Sequence, residues 1–183
     1  MKKIRTAPGR HLGVVPALAL AAAMAGGAYG AAKSKLSASD TAAFASFRLS
    51  LEGVRKVAAA NRDFRRIEKM SPGLKEKLET PEGEGPQSLD DSVRRIEDVP
   101  QAVHVLKRNH ITARDYLLTT ITLFGATMMA SVEKETGQPA SLPDSLAREN
   151  VNFVKMNEEE LAKLGPEIFQ TTEGKTEKAP GGK

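Results

Sequence analysis

A stretch without a charged residue, Tyr116–Val132, constrains the fold of this chain more than any other part of the sequence. It lies within residues 112–135, where Thr112 and Asp115 have the spacing of a capping box and so mark the start of a helix. Gly137 follows as a typical helix end. A helix without charge on any face is either a buried core helix or a membrane span. Because the stretch is short for a span and contains threonine, serine and glycine, we predict a central core helix.

The large side chains of this central helix recur at the spacing of one helical face, which is therefore predicted to be buried. Gly125 lies within that face, where its missing side chain is predicted to let another helix approach closely. Methionines adapt readily to the shape of a ligand, so Gly125, Met128 and Met129 also form a candidate cavity for an apolar small molecule. The face consists of Leu117, Ile121, Phe124, Met128 and Val132, with Leu118 and Met129 at one side.

The remaining periodic segments predict an all-α fold, a small bundle of about four to five helices around the central one. The helical domain is predicted to span residues 40–168. A loop rich in proline, glycine and glutamate is expected at 71–87. Ser88 with Asp91 has the spacing of a second capping box, and Pro100 suits the first turn of the next helix.

The last helix is predicted to begin between Ser145 and Asn150 and to end at Gly165 and Pro166. Glu133, in the last turn of the central helix, is expected to face water together with its charged neighbours.

A row of arginines follows one edge of the first long helix, which Ser37 or Ser39 is predicted to cap. Their spacings of seven, seven and four residues keep them on one side of a helix. They form either a cationic ridge for an anionic partner or a solvated edge that pairs with neighbouring carboxylates. The row consists of Arg48, Arg55, Arg62 and Arg66.

The region from about residue 87 to residue 160 resembles a group of small exported bacterial proteins of unknown function. The similarity rests on a short helix before a proline, a T-x-R-[DE]-Y start to an apolar helix, and a final helix led by asparagine. It implies an all-helical exported protein and implies no activity. The matching positions are Pro100, Thr112, Arg114, Asp115, Tyr116, Pro143, Asn150 and Phe153. Because this resemblance and the capping box meet at Arg114 and Tyr116, both are candidate binding residues.

The N-terminus, residues 1–32, reads as a secretory signal peptide with basic residues followed by a short apolar run. Small residues allow cleavage before Ala31 or before Lys33, while an uncleaved membrane anchor is the alternative. A flexible tether at 33–39 and a disordered tail at 169–183 are expected from their polar composition. The sequence therefore predicts export by the general secretion route to the periplasm or the cell exterior.

Charge and composition exclude several classes of function. The chain has 27 basic and 23 acidic residues, but four of the basic ones lie in the predicted leader. Without the leader the charges balance, so the basic isoelectric point does not indicate nucleic-acid binding. The sequence contains no cysteine, and His104 and His110 lack the spacing of a metal site. No metal, cofactor or catalytic constellation is predicted.

We therefore expect a non-catalytic binding module of the bacterial envelope, whose partner is an envelope protein or an anionic surface. Its candidate binding residues are Arg48, Arg55, Arg62, Arg114 and Tyr116. The alternative is a carrier that holds a lipid, a quinone or haem against Gly125, Met128 and Met129. An enzyme is not favoured, because the sequence proposes no reaction.

Overall fold

The structure is a computed structural model that describes residues 37–70, 73–78, 88–142 and 145–168. These residues form eight helices and no strand, which confirms the all-α prediction. The predicted signal peptide, the predicted tail and most of the predicted tether and loop fall outside the described residues. The helices are α1 (Ala38–Ala45), α2 (Leu51–Met70), α3 (Leu74–Leu78), α4 (Leu89–Glu97), α5 (Pro100–Arg108), α6 (Ala113–Thr136), α7 (Ser145–Met156) and α8 (Glu158–Ile168).

The helix ends that were predicted from capping chemistry are confirmed. Ser88 Oγ accepts a hydrogen bond from the Asp91 amide at 3.1 Å, and α4 begins directly after it. Thr112 Oγ1 accepts from the Asp115 amide at 3.0 Å at the start of α6. Gly137 ends α6 in the left-handed conformation, with φ +68°, which glycine adopts without steric cost.

The predicted first long helix is divided in two by a non-helical segment, residues 46–50, between α1 and α2. Asn150 on α7 is buried against this segment. Its Oδ1 accepts from the Leu49 amide at 2.9 Å, and its Nδ2 donates to the Phe47 carbonyl at 2.9 Å. The Asn150 side chain thus satisfies a backbone amide and a backbone carbonyl that have no helical partner in this segment. Although it lies about a hundred positions along the chain, Asn150 therefore stabilises the break between α1 and α2.

A buried carboxylate attaches α1 to the rest of the domain. Asp40 is 3% exposed, and its Oδ1 accepts from the Leu89 amide at the start of α4 at 3.2 Å. Phe44, one turn further along α1, is buried in the main core. A negative charge at a helix N-terminus is stabilised by the helix dipole, so Asp40 both anchors α1 and caps α4.

The uncharged helix, α6, lies at the centre of the fold as predicted. It contacts α1, α2, α4, α5 and α7. None of the helices in the described ranges has the length and apolar character that a bilayer span requires. The core has two parts. The first surrounds the N-terminal half of α6, and the second surrounds its C-terminal half and consists of Leu49, Val54, Leu123, Ala126, Val151, Val154 and Leu161.

The face of α6 predicted to be buried is buried over only half of its length. Ile121 is 1% exposed, but Met128 and Val132 are 39% and 43% exposed. In the C-terminal half, α6 turns Leu123 and Ala126 inward, against the second part of the core that includes Val151 and Val154 of α7. The prediction failed there because α6 carries no charge on either side, so nothing in its own sequence says which side faces the solvent.

The close helix approach predicted at Gly125 occurs instead at Gly53. A Cβ atom added to Gly125 would meet no other residue within 4 Å. A Cβ at Gly53 would lie 3.2 Å from Ser50 Oγ and 3.5 Å from Thr119 Oγ1 of α6. The missing side chain of Gly53 therefore brings α2 close to α6, while Gly125 lies on an open surface.

Two further boundaries differ from the prediction. The last helix is divided at Asn157, and α8 continues past Gly165 and Pro166 to Ile168. Arg65 of α2 holds this end, because its Nη1 donates to the Glu167 carbonyl at 3.2 Å and its side chain forms an ion pair with the Glu167 carboxylate. Within the predicted loop 71–87, α3 forms a short helix that contributes the buried Leu74 to the core.

Glu133 was expected to face water, but its side chain is only 4% exposed. Lys155 and Arg148 of α7 form ion pairs with its carboxylate, and the Ala140 amide donates to it at 2.7 Å. These three hydrogen bonds lower the pKa of Glu133 from 4.5 to about 2, and the bond from Lys155 has the largest effect. The carboxylate joins the end of α6 to α7.

The lowered pKa of Glu133 predicts a specific acid dependence of stability. A group with a depressed pKa stabilises the fold above its ordinary value and loses that contribution as the pH falls through the folded-state value. We expect Glu133→Gln to lower the thermal midpoint at pH 7. The difference from the wild type should shrink as the pH falls from 4.5 towards about 2. Calorimetry across this range, with the exposed Glu158→Gln as control, measures it; a pH-independent difference contradicts the assignment.

Candidate functional site

The first half of the predicted arginine ridge is neutralised by the chain itself. Arg48 lies in the segment between α1 and α2, not on the helix, and its Nη2 is 2.7 Å from Glu149 Oε2. Arg55 lies on α2, where its Nη2 is 2.8 Å from Glu160 Oε1 of α8. These contacts support the alternative interpretation for this half, a solvated edge that pairs with neighbouring helices.

The second half of the ridge has a different environment. Arg66 on α2 and Arg108 at the end of α5 both face the carboxylate of Asp63. Arg66 Nη1 is 3.7 Å from Asp63 Oδ1, and Arg108 Nε is 3.9 Å from Asp63 Oδ2. Both contacts are ion pairs that are longer than a hydrogen bond. The two arginine side chains remain 69% and 65% exposed.

Asp63 and Asn109 fix the position of α5 relative to α2. Asn109 Nδ2 donates to Asp63 Oδ2 at 3.1 Å and to the Val105 carbonyl at 2.9 Å. The Asp63 side chain is only 16% exposed and lies beneath the arginines. The chain then turns at His110, which has φ +51°. The backbones that carry the two arginines are therefore held in place by contacts made below them.

We define the basic surface as Arg62, Arg66, Lys69 and Arg108. The first three follow one face of the last turns of α2, at positions i, i+4 and i+7, and Arg108 faces them from α5. Arg62 and Lys69 are exposed and form no ion pair with the carboxylates of the described residues. Two arginines of this surface, Arg66 and Arg108, thus pair with one carboxylate, and Arg62 and Lys69 add positive charge on the same face of α2.

Arg114 and Tyr116, the other candidate binding residues, have structural partners. Arg114 Nη1 lies 2.7 Å from Asp90 Oδ1 of α4. The Tyr116 hydroxyl donates to Asn61 Oδ1 of α2 at 2.6 Å, and its ring packs edge-on against Phe64. Burial raises the pKa of Tyr116 well above its ordinary value. Tyr116 therefore belongs to the core that joins α6 to α2 and is not accessible to a partner.

The candidate cavity on α6 is an open surface in the described part of the chain. Met128 is 39% exposed, and the space above Gly125 contains no atom within 4 Å of an added Cβ. Met129 packs at the edge of the second part of the core. These residues do not enclose a ligand between helices, because α7 packs on another side of α6.

Arg108 was missed by the sequence analysis. The only local signal for Arg108 is a basic pair in the last turn of a helix, which the helix dipole explains equally well. The described residues contain no group of three acidic or histidine side chains that could hold a metal ion. Comparisons with protein-family models, curated proteins and solved structures find no match to this chain. The chemistry of the basic surface is therefore the basis for a functional proposal.

Proposed function

We propose that this protein is an exported, non-catalytic binding module of the bacterial envelope that docks on an anionic partner through the basic surface. The observation that carries the proposal is the pair Arg66 and Arg108, whose exposed guanidinium groups lie beyond hydrogen-bond distance of Asp63. Exposed arginine side chains that no carboxylate of the described residues holds by a hydrogen bond are suited to carboxylate, sulfate or phosphate groups from outside the chain.

Electrostatics favours docking at this surface over docking at the first half of the arginine row. Arg48 and Arg55 already have carboxylates at 2.7 and 2.8 Å, so a partner would have to compete with Glu149 and Glu160 for them. On the basic surface Asp63 forms only long ion pairs with Arg66 and Arg108, so an anionic partner gains attraction without breaking a hydrogen bond. Such attraction between exposed charges is screened by salt.

Two double variants with the same change in charge test the proposal. Arg66→Gln with Arg108→Gln removes two charges from the basic surface, and Arg48→Gln with Arg55→Gln removes two paired charges elsewhere. Binding is measured by co-sedimentation with vesicles of phosphatidylcholine and phosphatidylglycerol at low and at physiological salt. We expect the first variant to lose about thirtyfold in affinity, since each of the two arginines near an anionic membrane contributes roughly 1 kcal/mol.

The second variant is expected to bind within about twofold of the wild type. The two arginines that it lacks form ion pairs with Glu149 and Glu160 in the wild type and so contribute little to binding a partner. Equal losses in the two variants would mean that net charge alone matters and would overturn the assignment to the basic surface. A wild type that sediments no more with anionic than with neutral vesicles would overturn the proposed function.

Export is supported by the leader-like sequence of residues 1–32. The mass of the protein recovered from the periplasm tests it. A mass that corresponds to a chain beginning at Ala31 or Lys33 is expected, and an intact chain retained in the cytoplasm would contradict export.

A further inference from the structure

We propose that two copies of this chain associate through the solvent-facing side of α5, with the two helices antiparallel, so that the start of each α5 faces the end of the other. This inference goes beyond the proposed function, because the two residues that test it, Asp98 and Lys107, lie outside the basic surface. Its basis is a row of exposed side chains that is complementary in charge to its own reverse.

One side of α5 presents a continuous polar stripe to solvent. At about 100° per residue, its exposed positions fall within roughly a third of the circumference of the helix. The opposite side carries Ala102, Val105 and Leu106 and is buried in the core. The stripe is therefore the side on which α5 can meet another molecule. It consists of Pro100, Gln101, His104, Lys107 and Arg108.

The two ends of the stripe carry opposite charges. Glu97 and Asp98 are exposed directly before α5 begins, while Lys107 and Arg108 are exposed in its last turn. The dipole of a helix favours this order, with acidic residues at the start and basic residues at the end. The same order gives each end of the stripe a charge opposite to that of the other end, which a second copy in the reverse direction can use.

A two-fold axis through the middle of α5 brings these opposite charges together. With the axis halfway between Asp98 and Lys107, each Asp98 faces the Lys107 of the second copy. Each Glu97 then faces the Arg108 of the second copy, because both pairs have the same midpoint in the chain. In a parallel arrangement, like charges would meet at both ends. Charge complementarity therefore selects the antiparallel dimer.

The charges that this arrangement needs are available for a second copy. The side chains of Glu97, Asp98 and Lys107 form no ion pair with the charged groups of the described residues. Arg108 forms only the long ion pair with Asp63, at 3.9 Å, and remains 65% exposed. A second copy can therefore pair with all four charges at the ends of the stripe without displacing a hydrogen-bonded partner.

The size of the contact indicates a weak, reversible dimer. The helix α5 has nine residues, so the stripe that the two copies share is only about 13 Å long. Exposed ion pairs contribute little each, and salt screens them. We therefore expect a dimer that forms at high protein concentration and low ionic strength, and that dissociates when salt is added.

An exchange of charge between two positions tests the proposal by sedimentation velocity at low salt. Asp98→Lys places a lysine opposite Lys107, and Lys107→Glu places a glutamate opposite Asp98. Each variant alone is expected to raise the dissociation constant of the dimer about tenfold or more, since the two-fold axis repeats the repulsive contact twice.

Two combinations of these substitutions are expected to restore association. An equimolar mixture of the Asp98→Lys and Lys107→Glu variants has opposite charges at both contacts and should form a heterodimer. The double variant that carries both substitutions should again form a homodimer. Both substitutions oppose the dipole of α5, so a change in the stability of the helix cannot produce this recovery. Circular dichroism checks that all variants remain helical.

Glu159→Lys is the matched control. Glu159 is exposed in the first turn of α8, so its substitution makes the same change in charge near the start of a different helix. This variant should dimerise as the wild type does. A wild type that stays monomeric at millimolar concentration and low salt overturns the proposal. Single variants that dimerise like the wild type, or combinations that stay monomeric, overturn it as well. These outcomes leave docking at the basic surface standing, because vesicle binding tests that function with other residues.

Discussion

Replacing Asn150 with alanine is expected to lower the free energy of unfolding by about 2–5 kcal/mol, because each buried polar group left unpaired costs roughly 1–3 kcal/mol. Asn150 is 4% exposed and is hydrogen-bonded to both the Leu49 amide and the Phe47 carbonyl. The alanine methyl group cannot replace either bond, and the bond to the Leu49 amide is buried from water. Urea denaturation followed by circular dichroism measures the loss.

Asn157→Ala is the matched control. Asn157 Nδ2 donates to the Phe153 carbonyl at 2.7 Å, but that carbonyl also accepts from the Asn157 amide at 3.1 Å. Its loss leaves no backbone group unpaired, and we expect a cost of about 1 kcal/mol or less. Equal destabilisation by the two substitutions would show that Asn150 does not stabilise the segment between α1 and α2.

Leu123→Ala is expected to cost about 2–5 kcal/mol, the usual range for a buried leucine whose removal leaves a cavity. Leu123 is completely buried in the second part of the core, where α6 contacts α7. This substitution tests which side of α6 faces inward in its C-terminal half. The change in the midpoint of chemical denaturation gives the measurement.

Met128→Ala provides the comparison on the opposite side of the same helix. Met128 is 39% exposed, so its truncation is expected to cost about 1 kcal/mol or less. The apolar periodicity of the sequence alone predicts the reverse order, with Met128 in the core. If Met128→Ala proves more destabilising than Leu123→Ala, the orientation of α6 described here is wrong.

Local chemistry made several helix boundaries predictable. A capping box contains its donor and its acceptor within four residues, so Ser88 and Thr112 mark helix starts without knowledge of the rest of the fold. Pro100 and Gly137 act through their own backbone preferences and were predicted for the same reason. The all-α class followed from the helical periodicity between these boundaries.

Features that depend on distant parts of the chain were not predictable in this way. The segment between α1 and α2 contains neither glycine nor proline, and it is non-helical because Asn150 supplies its hydrogen bonds. Glu133 resembles any charged residue at a helix end, and only Lys155 and Arg148 of α7 make its burial favourable. The sequence contains these partners but does not indicate which of its many charges will meet.

The candidate site shows the same limit. The spacing of the arginines predicted a common face for Arg62 and Arg66, and the structure has both on α2. Pairing with neighbouring carboxylates was one of its two interpretations, but the sequence did not identify Glu149 and Glu160 as the partners of Arg48 and Arg55. The contribution of Arg108 depends on where α5 ends relative to α2, which is a property of the assembled core.

The contacts that join residues 46–55 to the two C-terminal helices have a consequence for the order of folding. Leu49 with Asn150 and Arg55 with Glu160 join residues 101 and 105 positions apart. Closing such long loops is slow compared with forming single helices. A nascent chain that has not yet reached Ser145 leaves Val54 and Leu123 without the helix that covers them. The domain therefore completes its core only when its C-terminal helices have been synthesised, and a truncated chain exposes apolar surface on α2 and α6.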